Sequence, residues 1–239
     1  MKKLFLLSFV LLFLISCEND FNESNFKRFY IEGNIENVYN NYKVFLKIQE
    51  SNTIISLDTT SINNGKFIFS GSIDRPAVYG IYIDSLQDVI GLFMENDSII
   101  IDVDPKSLSN SKISGSTLNK EYLDFLLQSN QIVSKMNVLF PIFQKARSEN
   151  NVEKLKEINK KMQDINSEKT QFALKYAKSH SDSYIAAFAL QSVLKDHTIP
   201  KDTIANIYNN FSKYVKKGDF AIETLLFIEG SNELNNNSN

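Results

Sequence analysis

The residue with the most definite chemistry is Cys17, the only cysteine in the 239-residue chain. A thiolate is a strong nucleophile, and a lone thiol at the end of an apolar run is placed to form a thioether with a lipid. Four carboxylates, Glu95, Asp97, Asp102 and Asp104, cluster around one stretch. Oxygen ligands of that kind suit a hard cation such as Ca²⁺. The EF-hand spacing is absent, and alternating Asp on a solvated strand face accounts for them equally well. His180 and His197 are the only histidines, each near a helix end, and neither has a cysteine or paired carboxylate at zinc-site spacing. No Gly-x-Ser-x-Gly elbow occurs, and Ser70-Gly71-Ser72 reads as strand and turn. Phosphate-loop and dinucleotide fingerprints are also missing. Asn210-Phe211-Ser212 has the form of a glycosylation triplet but carries little weight. The expectation is therefore no catalytic residue, no cofactor and no metal site, with Cys17 as the one residue assigned a role.

What surrounds Cys17 specifies its fate. Lys2 and Lys3 precede an apolar segment from Leu4 to Ile15, broken only by Ser8. That segment is too short to span a bilayer, which takes about 20 apolar residues. A basic start, a short apolar core and a small residue at the cut mark a secretory signal. Leu14-Ile15-Ser16 before the cysteine resembles the bacterial lipobox. Residues 1–16 are thus expected to be a lipoprotein signal peptide, with Cys17 acylated and residues 17–27 a polar tether. Two or more acyl chains give stable anchoring, each buried methylene contributing about 0.8 kcal/mol. The alternative is a structural cysteine that merely falls near the terminus.

Removing residues 1–16 leaves 223, enough for one large domain or two small ones. The formal charge moves from −2 to −4 as Lys2 and Lys3 are lost, which gives no footprint for nucleic acid. With Cys17 joined to lipid, no free thiol remains for redox chemistry.

The elements must carry the rest. From 28 to 115 the apolar residues alternate: Phe29, Ile31 and Ile35; Val44, Leu46 and Ile48; Phe67 and Phe69. Asn63-Asn64-Gly65 suits a turn with positive φ. Val89–Met94 and Ser98–Val103 read as a hairpin across Glu95-Asn96-Asp97, and Lys112–Ser114 as a last strand. The spacing predicts an α+β protein: an antiparallel β-sandwich or open barrel of seven to eight short strands, then a helical hairpin and further helices. Tyr79 and Tyr82 fall on opposite faces of one strand, so one points outward, with helices expected to cover it.

From 116 to 230 the period is helical. Ser116 or Thr117 caps a first helix that Pro141 should kink or end. A second starts near Asn151 and pairs with the first. Ser181-Asp182-Ser183 caps a third, and Pro200 opens a fourth that runs past Phe211 and Val215 to Gly218. A short helix from Asp219 to Ile228 closes the fold, and 231–239 is expected to be a disordered tail.

Several stretches resemble one family: Ile31-Glu32-Gly33-Asn34-Ile35, Asn64-Gly65-Lys66-Phe67-Ile68-Phe69-Ser70-Gly71, Met94-Glu95-Asn96-Asp97-Ser98-Ile99-Ile100-Ile101, and Ile113-Ser114-Gly115-Ser116 leading to Glu121-Tyr122. They are similar to the β-rich domain of unknown function of Bacteroidetes envelope lipoproteins, which usually precedes an AhpC/TSA (TlpA/ResA-type) thioredoxin-like domain. Ser179-His180-Ser181-Asp182-Ser183-Tyr184-Ile185-Ala186-Ala187 resembles that family's helical segment, with Ser181 where proline is usual. The resemblance implies the β-rich fold and an address in the cell envelope, at the outer membrane on its periplasmic or surface face. It carries no redox residue over, because no Cys-x-x-Cys occurs in the 239 residues. The expectation is a lipid-anchored, non-enzymatic binding or accessory module, its contact surface either the strand domain or the groove between sheet and helices. The alternatives are an accessory acting in trans with a separate thioredoxin-like oxidoreductase, or a truncated remnant of one.

Overall fold

The computed structural model describes residues 28–36, 39–50 and 53–236. Eight strands form two four-stranded sheets packed face to face: β1 (Phe29–Asn34), β2 (Lys43–Glu50), β3 (Thr53–Ser61), β4 (Lys66–Gly71), β5 (Ala77–Ile83), β6 (Ile90–Met94), β7 (Ser98–Asp102) and β8 (Lys112–Gly115). One sheet has the order β4-β1-β7-β8 and the other β3-β2-β5-β6. The period-2 pattern has its cause here. Ile31, Phe67, Phe69, Ile99 and Ile101 of the first sheet, with Leu46, Ile81 and Leu92 of the second, are at most 2% exposed in a shared core.

Two expectations about pairing are corrected. Val89–Met94 and Ser98–Val103 are not a hairpin: β6 and β7 lie in opposite sheets, and 95–97 is the corner between them. Crossing over sends β7 alongside β1 in the same direction, so the first sheet is mixed, with β1 and β7 parallel. Alternation tells which face a residue takes but not which strand lies beside it, so the two arrangements look alike in sequence. The Asn63–Gly65 turn does form, with φ 51° at Asn64 and 72° at Gly65. It closes one bridge, Asn63 to Lys66, before β3 and β4 part into different sheets.

Glycines in β1 and β4 answer to aromatic rings. Gly33 faces Phe67 and Gly71 faces Phe29 across the same strand pair. Each ring lies over the glycine opposite: a Cβ on Gly33 would sit 2.0 Å from the Phe67 ring, and one on Gly71 2.9 Å from Phe29. The pairing is reciprocal, and it gives a packing reason for glycine at both positions.

Six helices follow: α1 (Thr117–Ser134), α2 (Met136–Ser148), α3 (Val152–Ser179), α4 (Tyr184–Gln191), α5 (Lys201–Asn209) and α6 (Asp219–Asn236). Ser116, Asn151 and Ser183 cap α1, α3 and α4 through their side chains. The first arm of the hairpin is two helices, because the chain breaks at Lys135 while Pro141 sits inside α2. The Pro141 ring crowds the carbonyl of Asn137, four residues earlier and inside α2, without ending the helix there. The fourth helix stops at Asn209, not Gly218; Phe211 follows it and Val215 opens a separate 3-10 turn. The last helix extends to Asn236, beyond Ile228 and into the segment expected to be a tail.

Burial lifts the phenol pKa of Tyr122, Tyr176, Tyr184 and Tyr208 above the ordinary value. Tyr176 is raised further by donating to Glu121 at 2.6 Å. A group whose folded pKa is raised contributes stability that is present below its unfolded value, about 10 for tyrosine, and lost above it. Melting temperature should therefore fall as pH rises through about 10. Tyr176→Phe should flatten that fall, and thermal melts alongside tyrosinate absorbance test it.

Candidate functional site

Cys17 and the tether 17–27 lie outside the described residues. Glu95 and Asp97 precede the start of β7, whereas Asp102 and Asp104 lie at and beyond its end. Five residues of strand separate the two pairs by about 16 Å. Each carboxylate is occupied locally. Asp97 accepts from the Ser98 backbone N–H at 2.7 Å, and Asp104 from that of Lys106 at 2.9 Å. Asp102 accepts from the Asn34 amide at 3.5 Å. Among the described residues no group of three or more His, Cys, Asp or Glu gathers at metal-binding distance. His180 caps the end of α3, stacked on Tyr176 with ring centres 4.1 Å apart and Nδ1 3.0 Å from the Tyr176 carbonyl. His197 lies in the turn between α4 and α5, next to Asp196.

Glu95 has a different use, shared with its neighbours at the corner. Its carboxylate accepts from Ser116 Oγ at 2.7 Å, and the same Oγ accepts from the Asn119 N–H at 3.0 Å. Asn119 Oδ1 in turn accepts from the Phe93 N–H at 2.8 Å. Strand β6 is an edge, so the buried Phe93 N–H would otherwise lack a partner. Asn96 points the other way: its amide donates to the Ile73 carbonyl at 2.8 Å and accepts from the Ile73 N–H at 3.0 Å. The corner thus ties α1 to the sheet edge and holds the 72–75 loop that carries Arg75.

Phe93 is the apolar counterpart. It lies on the outer face of its sheet, fully buried among helices, 5.5 Å from Tyr122 and 5.9 Å from Phe220 between ring centres. Val78 beside it also packs on the helical core. Along β5 the helices stop short. Tyr82 on that outer face lies under Lys47, with Nζ 4.6 Å from its ring centre, rather than under the helical cover expected for the outward tyrosine. Tyr79, on the other face, is in the sandwich core.

Between these helices and the sheet runs a groove. Its larger part, about 710 Å³, has Ile48, Ala77 and Val78 on one side and Phe188, Phe220 and Ile222 on the other. Its smaller part, about 470 Å³, lies against Leu57, Asp58, the end of β4 and the 72–75 loop. Ile48, Arg75 and Asp219 line both. Arg75 Nη1 meets Asp219 Oδ1 at 2.9 Å, and this ion pair divides the groove. Both side chains are nearly half exposed, so the pair adds little stability and can open to a ligand at small cost. Gln191 Nε2 donates to Glu223 Oε2 at 2.9 Å on the helical rim. Apolar walls with a few polar groups suit an amphipathic ligand or a segment of another chain.

The sequence offered either the strand domain or a groove between sheet and helices as a contact surface, without the residues that line the groove. Asp219 showed only as the start of a helix. Asn96 and Asn119 have no periodic signature, since their partners are backbone groups 23 and 26 residues away.

The span from β1 to the third helical residue beyond Asn119 is one structural unit: two sheets, the corner, and the first turns of α1. Residues 29–122 match DUF4369, a domain of unknown function. The match begins at Phe29, whose ring covers Gly71, and ends at Tyr122, whose ring meets Phe93. The DUF4369 domain therefore includes the helix turns that satisfy its own sheet edge. All four β-region stretches that carried the family resemblance fall within or at the limits of this domain, and the Gly–Phe pairs and corner bonds give them a structural basis. No curated protein matches the chain.

Proposed function

We propose that the protein is a lipid-anchored component of the cell envelope that works as a non-enzymatic binding or accessory module. The observation that carries this reading is Cys17 directly after Leu14-Ile15-Ser16, at the end of a basic and then apolar leader. The groove divided by Arg75 and Asp219 supplies the contact surface. None of the described helices is long and apolar enough to cross a membrane.

Substituting Cys17→Ser in the full chain tests the anchor. Membrane fractionation and intact-mass analysis should show the native chain in the membrane fraction with a lipid mass, and the variant without that mass and released by carbonate wash. A native chain of unmodified mass would overturn the reading.

A second reading has the module serving a separate thioredoxin-like oxidoreductase in trans. The DUF4369 match supports it through the domain pairing usual in the family that the β region resembles. Crosslinking from membranes, with recovery of a protein bearing Cys-x-x-Cys, would support this second reading. Recovery restricted to other envelope proteins would count against it.

A further inference from the structure

Beyond the ion pair of Lys135 with Glu168 (Nζ to Oε2, 2.7 Å), α2 and the first half of α3 run on as a two-helix arm. No residue from 136 to 167 belongs to the core of the helical region. The arm keeps a narrow seam of its own, with Leu139, Phe143 and Ala146 on one stripe of α2. Outside that seam α2 still exposes apolar side chains. Val138 is 69% exposed, Phe140 57% and Ile142 40%, and Val152 at the start of α3 is 58% exposed. Val138 and Ile142 share a stripe that continues to Lys145.

Charge says what covers this face. The chain as a whole has 26 basic and 28 acidic residues. The arm from 136 to 167 reverses the balance: Lys145, Arg147, Lys154, Lys156, Lys160 and Lys161 against Glu149, Glu153, Glu157 and Asp164. Glu157 holds two of those lysines, and its carboxyl is lowered to about 2 by hydrogen bonds from Lys154 and Lys161. Arg147 and Lys160 make no ion pair among the described residues. A second copy would set one positively charged arm against another. A helix with an exposed apolar stripe and basic residues at its end has the composition of a segment that lies in a bilayer interface.

We propose that this arm rests on the surface of an anionic lipid bilayer, with Val138 and Ile142 of α2 entering the headgroup region and the basic residues meeting lipid phosphates. The contact goes beyond the acyl anchor and does not depend on it.

The test uses the full chain carrying Cys17→Ser, so that an introduced thiol is the only one. Val138→Cys takes an environment-sensitive dye, and Leu226→Cys, at an exposed site on α6, serves as the reference. Each is mixed with phosphatidylcholine vesicles with and without phosphatidylglycerol. The expected result is a blue shift and loss of quencher access at position 138 only, requiring phosphatidylglycerol and reversed by salt. Adding Lys145→Glu and Arg147→Glu should abolish it. No change at 138 overturns the proposal, as does a change that is equal in both vesicle types. A shift that appears without vesicles and grows with protein concentration also overturns it, in favour of a second copy.

Discussion

Phe93→Ala should destabilise the protein by about 3–5 kcal/mol, the cost of emptying a fully buried aromatic site. For a domain of this size that lowers the melting temperature by about 10 °C. The loss should fall at one place, because the Phe93 ring fills the space between the edge strand and Tyr122, Phe220 and the surrounding helices. Hydrogen exchange should accelerate at the Phe93 and Val78 amides and through the first turns of α1. Asn119→Ala makes the matching polar test, since it leaves the buried Phe93 N–H without its acceptor at a cost of about 1–3 kcal/mol. Both substitutions act at one junction, so their effects should not add. Independent, additive losses in denaturant melts would mean that ring and amide serve separate elements.

Gly33→Ala is the second large effect. The added methyl would meet the Phe67 ring at 2.0 Å, and that ring is itself fully buried in the sandwich core. The ring has to leave its site, and overpacking of this kind costs about 1–3 kcal/mol, more where the displaced group is large. Phe67→Leu alone should also destabilise, through lost packing. Combined with Gly33→Ala, it should recover part of the loss, because the shorter side chain frees the space above residue 33. Melting temperatures of the two single variants and the double variant measure the coupling. A double variant no better than the sum of the singles would show that Gly33 answers to backbone geometry and not to the ring.

Most of the strands were legible in the sequence because they bury one face, and burial of one face imposes alternation; β3, exposed along most of its length, lacks such a face. Helix starts at Ser116 or Thr117, near Asn151 and after Ser181-Asp182-Ser183 were legible because a short hydroxyl or amide side chain before an apolar helical period has few other uses, and Ser116, Asn151 and Ser183 are the caps. The β6–β7 corner was not. Glu95-Asn96-Asp97 has the composition of a hairpin turn, and what makes it a corner is the partner of each side chain: Ser116, Ile73 and Ser98. Likewise Pro141 announced a break in the helix, but packing against α3 keeps α2 helical through the proline, and the break falls at Lys135 instead.

Local periods and punctuation along the chain were enough to determine an α+β protein with a strand half before a helical half. They were enough because each depends on residues a few positions apart. Which strands share a sheet, which side of the sandwich the helices cover, and how Arg75 comes to face Asp219 were decided only in three dimensions. Those relations join residues far apart in the chain, through backbone groups and ring faces that every residue type or many can supply, and so leave no pattern of spacing to read.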